Sequence, residues 1–212
     1  MTTYCTRKRS IHAGGVAKTA VALAAGVVLY GSSVAAAEQR PEVQRLFQSG
    51  AYEQAVDAAR DADPASTYLA AQALIKLERS DRAVAELTRL RASENAAWRL
   101  VAESAEALVN NDAGRAVDVA RRATEADGTN PFAQYQLGLA AGKANDWDTA
   151  VAAFTRAVEL KPDFAYAHYY AALSYQRQRQ LSKTAEHFDA FLRLAPDAPE
   201  RSAVLAILRT IK

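Results

Sequence analysis

The chain has 212 residues, half of them hydrophobic, with 26 Lys and Arg against 24 Asp and Glu. That is enough apolar side chain to bury a core in one ordinary domain or one short repeat array, so a largely disordered chain is excluded. The excess base lies in the first 37 residues, where Arg7, Lys8, Arg9 and Lys18 meet no acid; the remainder holds 22 bases against 24 acids, and bulk charge gives nucleic-acid binding no support.

Residues 1–37 run from a basic segment to an apolar one, Thr19 to Leu29, and then to small residues ending in Ala35-Ala36-Ala37 before Glu38. This order predicts a secretory signal peptide with an A-x-A cleavage site. The apolar run falls short of the roughly 20 residues of a spanning helix, and an uncleaved N-terminal anchor is the alternative. Either reading places the body outside the cytoplasm, with the periplasm as the expected compartment or the inner membrane as the anchored alternative. Arg7-Lys8-Arg9 lacks an adjacent arginine pair, which weakens a twin-arginine export reading. No stable membrane insertion is expected once the signal is removed. The only cysteine, Cys5, precedes the apolar run, so neither a lipid anchor after it nor a disulfide or thiolate zinc site in the body is expected.

The body repeats itself. Tyr135 and Tyr169, Lys143 and Arg177, Phe154 and Phe188, Leu160 and Leu194, Pro162 and Pro196, and Asp163 and Asp197 are each 34 positions apart. One period earlier, Ala116 precedes Ala150, Ala123 precedes Ala157, and Trp98 precedes Phe132 and Tyr166. In chain order the expected units are a worn one at 38–63, then 64–96, 97–130, 131–164 and 165–198, with a capping helix at 199–212. Each reads as two short helices. Asn130-Pro131 supplies an N-cap followed by proline at the first helical position. Phe132, Tyr135 and Leu139 recur at helical spacing, Asn145-Asp146 breaks the pattern, and Trp147, Ala150, Val151, Phe154, Ala157 and Val158 form a second helix ended by Pro162. One such unit cannot bury its own apolar face, so the units must stack, and the open end needs a cap. The predicted fold class is all-α, a solenoid of helix-turn-helix repeats.

Leu137-Gly138, Ala141, Ala150, Phe154, Ala157 and Pro162 together resemble the tetratricopeptide repeat, whose period is about 34 residues. The resemblance covers roughly 40–198 and weakens towards the N-terminus. Ala172, Thr184 and Phe191 depart from it in 165–198, and Glu103-Ser104 replaces Leu-Gly in 97–130. It implies a right-handed superhelix with a concave groove that holds a protein or peptide partner. Matching the family's groove positions residue by residue gives Trp98, Phe132 and Tyr166 at one position, Tyr68, Val101, Tyr135 and Tyr169 at another, and Lys76, Lys143 and Arg177 near the helix end. The partner-binding set is therefore Trp98, Phe132, Tyr135, Lys143, Tyr166, Tyr169 and Arg177. Aromatic rings offer contact area with few rotors to freeze, and the bases can receive carboxylates, so a peptide of some acidic character is implied. The same aromatics can instead pack between helices. The carboxylate clamp of some relatives is not expected, because Tyr169 and Leu173 stand where its polar groups belong.

Signs of catalysis are few. His12 lies in the leader, and His168 and His187 lie on different helices without the i, i+4 spacing of a ligand pair. Gly138 to Lys143 is one residue short of a phosphate loop and lies inside a predicted helix. Asp118, Glu125 and Asp127 are scattered over helical faces. No catalytic residue, cofactor or metal site is expected. The leading expectation is a non-enzymatic protein-protein interaction scaffold or adaptor of the cell envelope. The alternatives are an accessory subunit or small-ligand or glycan binder of an envelope enzyme system, and a self-associating structural protein; oligomeric state is left open.

Overall fold

The computed structural model describes residues 41–60 and 62–211. The expected leader at 1–37 and residues 38–40 of the first expected unit lie outside the described residues. The described residues form eleven α-helices: α1 (Pro41–Gln48), α2 (Tyr52–Ala58), α3 (Pro64–Lys76), α4 (Ser80–Arg91), α5 (Ala96–Val109), α6 (Ala113–Ala126), α7 (Pro131–Lys143), α8 (Trp147–Leu160), α9 (Ala165–Arg177), α10 (Leu181–Leu194) and α11 (Arg201–Thr210). Each helix from α1 to α10 packs on its successor, making the all-α stack of helix pairs that the period implies.

Caps set the helix starts. The Asp63, Asn95 and Asn130 side chains each accept from two backbone amides of α3, α5 and α7, and Pro64 and Pro131 begin α3 and α7 where no amide is needed. One turn chemistry sets the ends of the first helices. Gly50, Glu78, Asn111, Asn145 and Arg179 all have positive φ, between 58° and 80°. The next amide then bonds the carbonyl five residues back: Ala51 to Leu46, Arg79 to Leu74, Asp112 to Ala107, Asp146 to Ala141 and Gln180 to Tyr175, each at 2.9–3.0 Å. This left-handed cap satisfies carbonyls the helix end would leave bare.

Small residues at the repeat period bring the helices together. Ala83, Ala116, Ala150 and Thr184 are wholly buried in the second helices. Gly138 serves the same end in α7, where an added Cβ would lie 2.6–2.7 Å from the Phe154 ring. Ser104 stands at the equivalent place in α5. Its hydroxyl donates to the Ala116 carbonyl at 2.8 Å, so the polar substitution is satisfied inside the core. Gln136 Nε2 donates to Ser104 Oγ, and Tyr68 Oη donates to Gln136 Oε1. This buried chain ties α3, α5 and α7 across three units.

The N-terminal helices also reach far along the array. The Phe47 ring lies 4.9 Å from that of Tyr166, and Gln44 and Gln48 both donate to the Asp163 carbonyl. Glu200, just before the capping helix α11, accepts from Lys76 of α3 and Tyr166 of α9, each at 2.8 Å. At Gly50 two demands coincide: φ is +80°, and an added Cβ would lie 2.5 Å from Pro199 Cγ. Replacing Gly50 by Ala is therefore expected to lower the unfolding free energy by about 2 kcal/mol or more, from left-handed backbone cost plus overpacking. Urea unfolding checks this; an unchanged midpoint would mean that the α1–α2 turn does not meet Pro199.

Candidate partner-binding groove

The seven groove candidates fall into two groups. Phe132, Tyr135 and Tyr166 are at most 2 % exposed, with Trp98 and Tyr169 half-buried beside them. Their rings form a continuous layer: Trp98 to Phe132 at 5.5 Å, Phe132 to Phe164 at 5.2 Å, Tyr135 to Phe164 at 4.6 Å and Tyr166 to Tyr169 at 6.0 Å between centroids. What meets that layer is the chain itself. Tyr68 of α3 packs edge-on against Phe132 and Tyr135, while Phe47 and Tyr52 reach Tyr166. Truncating Tyr135 would open a cavity in the core, so its loss reports on stability before it reports on binding.

The polar end of this contact is a compact network. The Tyr52 and Tyr166 hydroxyls lie 3.0 Å apart, Tyr166 donates to Glu200, and Lys76 pairs with Glu200 while lying over the Tyr166 ring at 5.0 Å. Burial, with the Tyr52 contact and the Glu200 charge, pushes the Tyr166 phenol far above its ordinary range and keeps it a donor. Burial opposes charge on Glu200, but Lys76 and Tyr166 outweigh it and hold the carboxyl below its ordinary 4.5. Lys76, a groove base by repeat phase, is thus engaged within the fold.

Lys143 and Arg177 form the second group, and both are exposed. They line an open cleft of about 650 Å³ between α7, α8 and the end of α9, with Leu139, Trp147, Tyr170 and Arg179. That volume lies within the roughly 300–1,000 Å³ of ordinary ligand sites. Trp147 and Arg179 lie outside the first-helix positions from which the groove set was drawn. Trp147 opens the second helix, where Ala113 and Leu181 stand one period away, and its bulk at that place was the available signal.

The comparisons with known proteins bear on the fold. The sequence model of the tetratricopeptide repeat family matches residues 135–199. Over residues 135–199 the chain carries tetratricopeptide repeats. The solved first TPR of Spaghetti (RPAP3), bound to the HSP90 peptide SRMEEVD, superimposes with a TM-score of 0.52 at 18 % identity, over 57 % of this chain and 94 % of that one. MamA (41-end) from Desulfovibrio magneticus RS-1 is 25 % identical over 77 % of this chain and 94 % of its own, with a TM-score of 0.46. No curated protein matches the chain.

Elsewhere among the repeats, His168 and His187 meet, with their Nδ1 atoms 3.2 Å apart. Pro162 O lies 3.2 Å from His168 Nε2, which assigns the His168 proton to Nε2 and makes His187 Nδ1 the donor between the rings. His187 also stacks on Tyr175. Among the described residues no group of three or more His, Cys, Asp or Glu is placed to hold a metal ion, and no helix is long and apolar enough to cross a membrane. Burial, and then the neighbouring His168, lowers the His187 pKa from 6.5 to about 4. Between those values the unfolded chain binds a proton that the folded one refuses, so stability is lost as pH falls from about 6.5 towards about 4. His187→Gln is expected to reduce this loss by on the order of 2 kcal/mol in urea unfolding at pH 7.5 and 4.5. An identical pH dependence in the variant would contradict a buried neutral His187.

Proposed function

We propose that this tetratricopeptide repeat protein is a non-enzymatic scaffold that holds a segment of a partner protein in the cleft between α7, α8 and α9, and that it works outside the cytoplasm. The observation that carries the reading is the division of the repeat surface. The aromatic layer is occupied by the chain's own α1–α3, whereas the cleft beside it is open and combines apolar and basic walls. The peptide-bound state of the RPAP3 repeat is a precedent for this fold holding a peptide. The export half of the proposal is supported by the basic, apolar and small-residue order of residues 1–37.

A small-ligand or catalytic reading asks for ionisable groups converging in an enclosed pocket. His168 and His187 spend their mutual contact on each other, and His168 Nε2 is taken by the Pro162 carbonyl. The partner reading is therefore preferred.

Gly142 allows a steric test that leaves every charge in place. It lines the cleft, and a Cβ added there meets only Trp147, at 3.7 Å. Gly142→Leu should obstruct the cleft beside Trp147 and strengthen the helix. In crosslinking and affinity capture from envelope extracts, the parent protein is expected to retain a discrete partner and Gly142→Leu to lose it at least tenfold, with helicity unchanged by circular dichroism. Equal capture by the two would remove the cleft from the interaction.

A further inference from the structure

The cleft's chemistry narrows the kind of partner. We infer that it receives an acidic peptide segment with a bulky apolar anchor, which packs on Trp147 while Lys143, Arg177 and Arg179 take flanking carboxylates. This rests on the scaffold reading and adds the chemistry of what is held.

Three features converge. The first is the apolar wall. Leu139, Trp147, Phe154, Tyr170 and Leu173 line the cleft, and Gly138, lacking a Cβ, lets the Phe154 ring lie against the α7 backbone. The second is unbalanced charge. Three bases line the cleft and no acid does. Among the described residues none of the three has a carboxylate within ion-pair distance, although Arg91, Arg115 and Lys183 do elsewhere on the surface. Of the two acids flanking Trp147 in sequence, Asp146 accepts from the Thr149 amide and pairs with Arg121 at 3.8 Å, and Asp148 accepts from Gln178 at 2.6 Å. Arg177 lies over the Trp147 ring, 5.3 Å from its centroid, so a guanidinium is already held beside the apolar surface.

The third feature is where Arg179 sits. It has φ +60° at the turn position that Asn111 and Asn145 hold in the two preceding repeats and that Glu78 holds, at φ +58°, in the repeat before them. A long side chain in the left-handed region is unfavourable where Asn or Gly is at ease. The turn would form more readily without it, yet this position carries a cation into the cleft.

A peptide suits these walls better than a nucleic acid does. Three cations are too few for the long basic stripe of a phosphate-backbone site, and the apolar wall needs a side chain to cover it.

The test uses fluorescence anisotropy of three labelled peptides on the purified full chain: GEELFDEG, its neutral counterpart GQQLFNQG, and GEEGGDEG without the apolar group. Saturable binding of the first is expected, at least tenfold tighter than of the other two. Lys143→Gln with Arg177→Gln should weaken it at least tenfold. Arg179→Gly should raise the melting temperature while weakening the same peptide, an opposition that a purely structural arginine would not produce. Equal binding of GEELFDEG and GQQLFNQG, or indifference to the Lys143 and Arg177 changes, would overturn the inference. Displacement of the peptide by a thymidine decanucleotide at comparable concentration would overturn the choice of a peptide. If no acidic peptide binds while the parent protein still captures a partner that Gly142→Leu loses, the acidic assignment falls and the scaffold reading stands; if capture fails too, both fall.

Discussion

The arrangement depends on one carboxylate. Glu200 stands at the start of the last helix, yet it accepts from Lys76, 124 residues earlier, and from Tyr166 in the last repeat. Both members of the ion pair are substantially screened from water, with side chains 28 % and 15 % exposed for Lys76 and Glu200. Desolvating such charges is costly, and it is tolerated when hydrogen bonds satisfy the remaining lone pairs. Tyr166 supplies one of those bonds, and Tyr52 in turn lies against Tyr166. Residues from α2, α3, α9 and the start of α11 thereby share one network. In an open solenoid each repeat touches only its neighbours. This array gains contacts across its whole length, and a surface that would otherwise face water becomes core.

That closure separates what was legible in the sequence from what was not. The 34-residue period, the all-helical class and the helix start at Asn130-Pro131 follow from local chemistry, because capping and small-residue packing are decided within one unit. Ala116 and Ala150 could be read as packing positions for the same reason. The fate of Phe132, Tyr135 and Tyr166 could not. Period and residue type place an aromatic on a face of the first helix, but what covers that face depends on how far successive units rotate, and no single unit encodes it. Phe132 as a groove residue and Phe132 as a core residue have the same local signature. Gln136 carries no local sign of its role because its partners, Tyr68 and Ser104, come from two other units. The His168–His187 contact was equally hidden, since the residues sit 19 apart on two helices rather than at a spacing that marks one face.

The division of the surface also explains why the basic residues split. Lys76, Lys143 and Arg177 are equivalent by repeat phase, yet Lys76 is spent on Glu200 while Lys143 and Arg177 remain at an open cleft. The closing network and the open cleft therefore draw on different bases of the repeat series. The early units and the capping helix meet the last repeat at Tyr166, and the units at 131–164 and 165–198 present a half-buried tryptophan beside an exposed arginine. A closed array also offers a rigid frame for that cleft, because α7 meets α3 through Gln136 and Tyr68, and α9 meets α1 and α2 through Tyr166. Rigid placement of an anchor and its flanking cations lowers the entropy lost on binding.

The most direct measurement of closure is a double-mutant cycle between Lys76 and Glu200. Urea unfolding of Lys76→Met, Glu200→Gln and the double variant isolates the interaction of two residues that meet only if the two ends of the array come together. A coupling free energy of about 1 kcal/mol or more is expected for such a contact. Additivity within about 0.3 kcal/mol would contradict it, and the aromatic layer of α7 and α9 would then be free to serve as an open groove.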